Sequence, residues 1–355
     1  MPAVDAYRLA ARTLELVNIA SPSGSEAELM RYLAATLPLE PSYADDDIRL
    51  VLPRGRDGGR RFVLFAGHVD TVPEQGNFPG RIEGGAVHGL GASDMKGAIA
   101  VMLELALWAV AAELAFDPGF VFFTREEVAL DESPLPRLFE TGLVEGADLV
   151  VVMEPTDNTL QAGCVGSVNA FARFRGEAAH SARPWQGVNA ILVAAERLLS
   201  LGPPLEVEID GLVFRETLTP TLIRGGIAKN VVPDLVEVTL NFRYAPHRSR
   251  GDALRRLGDL IGPGVEWEPL DHAPAAHVNL SNPLIAPLRA AGDFEVQPKQ
   301  AWTPVAQFAE RGLDAINLGP GATRYAHKRD ERVEIAELVR CFEALQRFLS
   351  VGSTG

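Results

Sequence analysis

Residues 61–70 read RFVLFAGHVD. The run from Phe62 to Gly67 is unbroken by any polar side chain, and His68 and Asp70 follow it directly. A continuous apolar run of this length marks a strand covered on both faces, whereas a sheet with one wet face shows alternation. The same pattern recurs along the chain. FVFFT (120–124) ends in Arg125, Glu126 and Glu127, ADLVVVM (147–153) ends in Glu154, and LDAINLGPG (313–321) leads through a loop to His327. Between the first two strands, residues 94–116 form a long apolar stretch opened by Asp94, which reads as a buried helix. Apolar strands alternating with helices predict an α/β layered domain. In such sheets ligands bind beyond the carboxyl ends of the strands, where these acidic and histidine residues stand.

Outward from this centre, residues 5–19 repeat apolar positions at helical spacing. SPSGSEAEL (21–29) breaks that helix, and Ser25 with Glu28 predicts a capping box for a second helix running to about Leu37. After about Val165 the texture changes. SVNAFARFRG (167–176), TLTPTLIRGG (217–226) and LVEVTLNFRYAP (235–246) alternate, as half-exposed antiparallel strands do, and residues 188–201 and 249–262 are amphipathic helices. Buried character returns near residue 282 and ends in a closing helix, 333–350. The reading is a discontinuous larger domain, 1–165 and 282–355, interrupted by a smaller α+β domain, 166–281.

The chain has 355 residues, 47% hydrophobic and 23% charged. It has 33 Lys and Arg against 47 Asp and Glu, a net charge of −14. A chain this acidic lacks the clustered cations that nucleic acids and anionic membranes require. The most membrane-like stretch, residues 97–116, contains Glu104 and Glu113. A carboxylate at a bilayer centre costs roughly 2.5–3.5 kcal/mol, which points to a core helix instead. Cys164 and Cys341 are isolated and no CxxC occurs, so a thiolate metal site is excluded. Two lone cysteines fit a reducing compartment. Residues 1–17 show no uninterrupted apolar leader, so the expectation is a cytoplasmic protein.

Taken singly, each acidic or histidine residue has a plain explanation: Glu126–Glu127 as a solvated loop, Asp94 as a helix cap, His68 or His327 as a surface or core group. Their joint placement at strand ends favours a metal site. Imidazole and carboxylate suit zinc, and also cobalt or manganese. Two histidines and three carboxylates can hold two ions if one carboxylate bridges, leaving a further carboxylate as general base.

The succession GHVDTVP (67–73), GLGASDMKGAIAVML (89–103), FTREEV (123–128), MEP (153–155) and AHKRDE (326–331) resembles the M20 family of dinuclear metallohydrolases over nearly the whole chain. Within that family EAAHSARPWQGVNAI (177–191), IRGGIAKNVVPD (223–234), NFRYAPHRS (241–249) and AWTPVAQF (301–308) are similar to the desuccinylase branch that acts on N-succinyl-diaminopimelate, in its actinobacterial form. The resemblance implies a mixed-sheet zinc-hydrolase catalytic domain with helices on both faces, interrupted by a lid and dimerisation domain. It implies His68 and Glu154 as ligands of one metal, Glu127 and His327 of the second, and Asp94 as the bridge. Two divalent ions, zinc first, would be the cofactor and a small N-acyl amino acid the substrate. Asp70 would orient His68, Glu126 would be the general base, and His180 would stabilise the oxyanion from the partner of a homodimer formed through the inserted domain. Asn230, Arg243, Thr303, Gly319 and, by its charge, Arg183 are the candidate substrate contacts. The resemblance further implies a cis peptide between Asp94 and Met95.

CVGSVNA (164–170) departs from the proteobacterial desuccinylases in having no Arg before Gly166 and Ser167. The acyl group therefore stays open, with an N-acetyl-ornithine or N-acetyl-lysine deacetylase and a carboxypeptidase as alternatives. A non-catalytic metal or amino-acid binding protein on the same scaffold is the reading from another class, and Glu126, a base beside the ligand Glu127, speaks against it. No GxSxG is present, which sets aside a serine hydrolase.

Overall fold

The structure is a computed structural model and describes residues 5–56 and 58–350; of the segment 1–17, the first four residues lie outside that range. By its contacts the chain divides into two compact units, one of Met1–Ala162, Asn279–Gln297 and Thr303–Gly355, the other of Gly163–Val278 with Pro298–Trp302.

In the first unit, the strand Phe62–His68 is buried at every position and lies inside an eight-stranded sheet. Asp117–Phe123 and Leu149–Val152 flank it in parallel, and Ala315–Asn317 runs parallel to Leu149–Val152. Ile48–Val51 and Leu160–Ala162 add antiparallel pairings outside these four. The sheet is therefore mixed, and its parallel centre agrees with the unbroken apolar runs. His68 is opposite Phe123 and Ala66 opposite Val152. This register carries the residues after each strand to the same edge of the sheet.

The helix Gly97–Ala109 is buried along nearly its whole length. Its Glu104 carboxylate is fully buried and is met by Arg8 at 2.6 Å and Arg12 at 3.2 Å, so the charge that argued against a bilayer span is paired inside the protein. Two local expectations are corrected. The long helix starts at Gly97 rather than Asp94, because Asp94 and Met95 have non-helical dihedrals within a wide turn, Ala92–Lys96. Their peptide bond is cis. The second helix, Ala27–Thr36, has Glu26 rather than Ser25 at its N-cap and no side-chain cap. The Ser25 N–H closes a turn onto the Pro22 carbonyl, and the Glu26 carboxylate accepts from Gly24 N–H at 2.9 Å.

The second unit holds a five-stranded antiparallel sheet in the order Leu205–Ile209, Leu212–Gly225, Leu235–Tyr244, Gly166–Arg175, Glu266–Ala273. Along Leu235–Tyr244 every second residue is buried. Val236, Val238, Leu240, Phe242 and Tyr244 form one core with Ala190 and Ala194 of the helix Ala190–Leu199 and Ala253, Leu257 and Ile261 of the helix Arg250–Ile261. Leu205–Ile209 pairs only with Leu212–Glu216. From Thr217 to Gly225 that side of the long strand has no partner strand among the described residues, and Leu222 and Ile223 on it are each 59% exposed. Among the described residues no helix is long and apolar enough to cross a membrane.

Candidate metal centre

His68 closes its strand and is 1% exposed. Its Nδ1 lies 3.4 Å from Asp70 Oδ1, and its Nε2 lies 3.2 Å from Asp94 Oδ1 and 3.8 Å from Glu154 Oε1. Burial alone would disfavour a charged ring, but the hydrogen bonds to Asp70 and Asp94 outweigh it and raise the His68 pKa well above its ordinary value.

The Asp70 carboxylate is fully buried and also organises the next strand end. Its Oδ1 accepts from Glu126 N–H at 3.0 Å, and its Oδ2 accepts from Glu127 N–H at 3.0 Å and from the Ser23 hydroxyl at 2.6 Å. Burial opposes ionisation; His68 and these donors prevail and hold the carboxyl near pKa 2. One carboxylate thus orients both the imidazole and the Glu126–Glu127 backbone. Glu126 itself is raised well above the usual carboxylate range, first by burial and then by the charge of Glu154.

Asp94 stands between the two histidines. Its Oδ2 lies 3.5 Å from His327 Nε2, on the opposite oxygen from the one facing His68. His327 Nε2 is also 2.8 Å from Glu127 Oε1. Hydrogen bonds from the His327 ring to the Asp94 and Glu127 carboxylates raise the His327 pKa to about 10. Donor atoms of three sets each lie within 4.8 Å of one another: His68, Asp94 and Glu154; His68, Glu126 and Glu127; Asp94, Glu127 and His327. Carboxylates gathered this closely repel one another unless positive charge lies among them, which a bound divalent cation would supply. With oxygen and imidazole donors and no thiolate, the set fits zinc, cobalt or manganese.

Three residues were not singled out from sequence. Ser23 holds Asp70, as above. Glu331 is 2% exposed, and its carboxylate accepts from the backbone N–H groups of Gly91, Ser93 and Asp94 at 2.9, 3.1 and 3.0 Å. Burial raises its pKa to about 7. Lys96 is 1% exposed, its Nζ donates to the Ile19 carbonyl at 2.7 Å, and burial lowers its pKa to about 7. In sequence Glu331 sits inside KRDER, which reads as a solvated charged loop; its four-residue spacing from His327 is the one local clue.

Thr303 is 2% exposed and donates through Oγ1 to Asn317 Oδ1 at 2.9 Å. Gly319 packs on the end of the Glu154 strand, where a Cβ would stand 2.5 Å from the carbonyl oxygens of Met153 and Glu154. Gly319→Ala is therefore expected to cost about 1–3 kcal/mol through overpacking. Chemical denaturation checks this, and an unchanged midpoint would count against the packing.

The remaining candidates belong to the second unit. His180 is exposed on the short strand Ala179–His180, which pairs with Val231–Val232. Its Nδ1 accepts from Ala182 N–H at 3.1 Å. Ser181 N–H donates to the Asn230 carbonyl at 2.9 Å and Arg183 N–H to the His180 carbonyl at 2.8 Å, so His180, Arg183 and Asn230 are brought together. Arg243 lies on the strand Leu235–Tyr244, paired with Ser167 and Thr217, and its Nε donates to Asn241 Oδ1 at 2.9 Å. Burial lowers the pKa of its guanidinium.

The family model for peptidase family M20/M25/M40 matches residues 64–351. A putative succinyl-diaminopimelate desuccinylase of Mycobacterium tuberculosis is 39% identical over 345 residues, covering 95% of this chain and 96% of that protein. A succinyl-diaminopimelate desuccinylase of Corynebacterium glutamicum is 34% identical over 350 residues, 95% of each chain. The crystal structure of a dinuclear metal-binding peptidase of the M20 family from Bacillus subtilis superposes with a TM-score of 0.70 at 16% identity, covering 97% of both chains.

Proposed function

The chain belongs to peptidase family M20/M25/M40 and is a hydrolase of that family, and from this premise we propose that it is a two-metal amide hydrolase releasing succinate and LL-diaminopimelate from N-succinyl-LL-2,6-diaminopimelate. The observation that carries the reading is Asp94, whose two oxygens face His68 and His327 from opposite ends of one carboxylate. The near end-to-end match to two desuccinylases supports the substrate. The Bacillus subtilis peptidase, described as dinuclear, supports the number of ions.

His68 and Glu154 would hold one divalent ion, Glu127 and His327 the other, and Asp94 both; zinc is the first choice. When bound, such ions polarise the amide carbonyl and acidify the attacking water. Glu126 takes the proton from that water and delivers it to the departing amine nitrogen. Its buried position keeps its proton affinity high, as an acid–base group that must both accept and return a proton requires. Asp70 holds the His68 ring by Nδ1 and fixes the Glu126 backbone through a hydrogen bond. His180 would donate to the developing oxyanion. Arg243, Asn230 and Thr303, with Arg183, would bind the carboxylates and backbone of the substrate; the packing of Gly319 gives it a structural role at Glu154.

We assign His180 to the partner subunit of a homodimer. What supports the dimer is the open edge Thr217–Gly225 with exposed Leu222 and Ile223. An unpaired edge invites a second copy, and a two-fold dimer is its commonest closure.

A second reading, another acyl group, is favoured by the absence of an Arg before Gly166 and Ser167. An acetylornithine deacetylase of Myxococcus xanthus is 30% identical over 85% of the chain. A hydrolysis panel of N-succinyl-diaminopimelate, N-acetyl-ornithine, N-acetyl-lysine and dipeptides with zinc-loaded protein decides. The highest kcat/KM is expected for the succinyl substrate. A higher value for an acetyl compound or a dipeptide would replace the succinyl assignment, and no turnover of any member would favour a binding protein.

A further inference from the structure

We propose that Glu331 is a positioning residue that joins the two ends of the metal centre, its carboxylate setting the backbone that carries Asp94 while its own segment carries His327. The inference rests on the reading of Asp94 and His327 as metal ligands.

In the turn Ala92–Lys96 the Lys96 N–H closes onto the Gly91 carbonyl at 2.7 Å and the Ala92 N–H onto the Gly89 carbonyl at 3.1 Å, but Asp94 and Met95 have non-helical dihedrals and the N–H groups of Ser93 and Asp94 point to a side chain instead. A helix start with orphan donors is ordinarily capped by a side chain just before it. Here Gly91 is at the N-cap position and has none. The acceptor comes instead from residue 331: Oε2 takes the Gly91 N–H at 2.9 Å, and Oε1 takes those of Ser93 and Asp94 at 3.1 and 3.0 Å. All three donors flank or belong to the residue placed between the histidines. A carboxylate 2% exposed is costly to bury, and these hydrogen bonds offset part of the cost.

The grip is two-sided. Four residues before Glu331, His327 is in the left-handed region at φ 59°. Glu331 N–H donates to the Lys328 carbonyl at 3.2 Å, and Gly89 N–H donates to the Glu331 carbonyl at 3.0 Å. Arg332–Glu334 then pairs with Ala86–His88, just ahead of the Asp94 turn. On the other side of His327, the Ser93 hydroxyl donates to the Ala322 carbonyl at 2.9 Å and accepts from Ala322 N–H at 2.6 Å. The segment bearing one ligand is thus stitched on both flanks to the turn bearing another. Displacing Glu331 would move Asp94 relative to His327 without removing any ligand.

Glu331→Gln keeps the shape but turns an N–H2 group toward at least one of the three backbone donors; Glu331→Ala removes the acceptor. Zinc affinity is measured by competition with a chromophoric chelator, alongside the melting temperature with and without zinc. The zinc Kd is expected to rise about 10–100-fold in Glu331→Gln and at least as much in Glu331→Ala. The rise in melting temperature on adding zinc should shrink in step. A zinc Kd within about threefold of wild type in Glu331→Gln would overturn the proposal, even if the zinc-free protein melts lower, because a lower stability that still leaves the zinc-free protein folded at the titration temperature does not change affinity at an intact site. Should neither variant fold, Glu331→Asp, too short to reach all three donors, is titrated against the same criterion. Asp94→Ala is titrated in parallel. If it retains zinc, the ligand reading has failed; if it loses zinc while Glu331→Gln does not, only the positioning role has failed.

Discussion

Glu126→Gln is expected to lower kcat by about 10²–10⁴-fold and to leave the metal content at the wild-type value. Two adjacent glutamates follow one strand, and the structure gives them different surroundings. Glu127 Oε1 meets His327 Nε2 at 2.8 Å, within the set that includes Asp94. Glu126 lies with His68 and Glu127 but makes no such short contact, and burial beside Glu154 raises its proton affinity. A ligand must lose its proton for good, whereas a base must take one and give it back. Glutamine preserves the shape of Glu126 and removes that ability. Glu127→Ala should differ in kind, weakening one of the two ions. Metal analysis with steady-state kinetics on each variant checks the division. Turnover near wild type in Glu126→Gln would place the base elsewhere, and loss of metal in that variant would make Glu126 a ligand.

His180→Ala is expected to cost about 10²–10³-fold, the usual effect of removing one oxyanion donor, and mixing it with Glu126→Ala should restore activity. His180 is exposed in the second unit, on a two-residue strand, and that unit carries none of the ligand residues. If His180 acts on the partner's site, a mixed dimer has one site with both Glu126 and His180. Random exchange of equal amounts makes half the dimers mixed, so recovery should approach about a quarter of wild-type activity. Subunit exchange is verified with differently tagged chains. Exchange without recovery would mean that His180 acts within its own chain or has no catalytic part.

The composition of the site was legible in the sequence because side-chain type is a local property. An apolar run ending in His68, another in Glu126 and Glu127, and a third in Glu154 announced a covered sheet with chemistry at its strand ends, and the eight-stranded mixed sheet has that form. Alternation in residues 235–244 likewise announced a sheet with one buried face, because side chains of a strand point to opposite sides in turn. Local rules failed where backbone groups answered to distant partners. Ser25 and Glu28 match a capping box, yet the Ser25 N–H is engaged with Pro22 and the helix starts beyond Glu26. Asp94 resembles a helix cap, yet its own N–H is held by Glu331, and the helix proper waits until Gly97.

What the sequence determined by itself was the set of residue types and the order of elements, since both follow from local periodicity and from which side chains can stay in water. What only the tertiary structure decided was distance: that Asp94 has His68 on one oxygen and His327 on the other, and that a glutamate from a charged loop is buried beneath that turn. Residues 94 and 331 lie 237 positions apart. No local pattern encodes a hydrogen bond of that span; the antiparallel pairing of Arg332–Glu334 with Ala86–His88, and the Gly89 N–H donated to the Glu331 carbonyl, bring its two ends together.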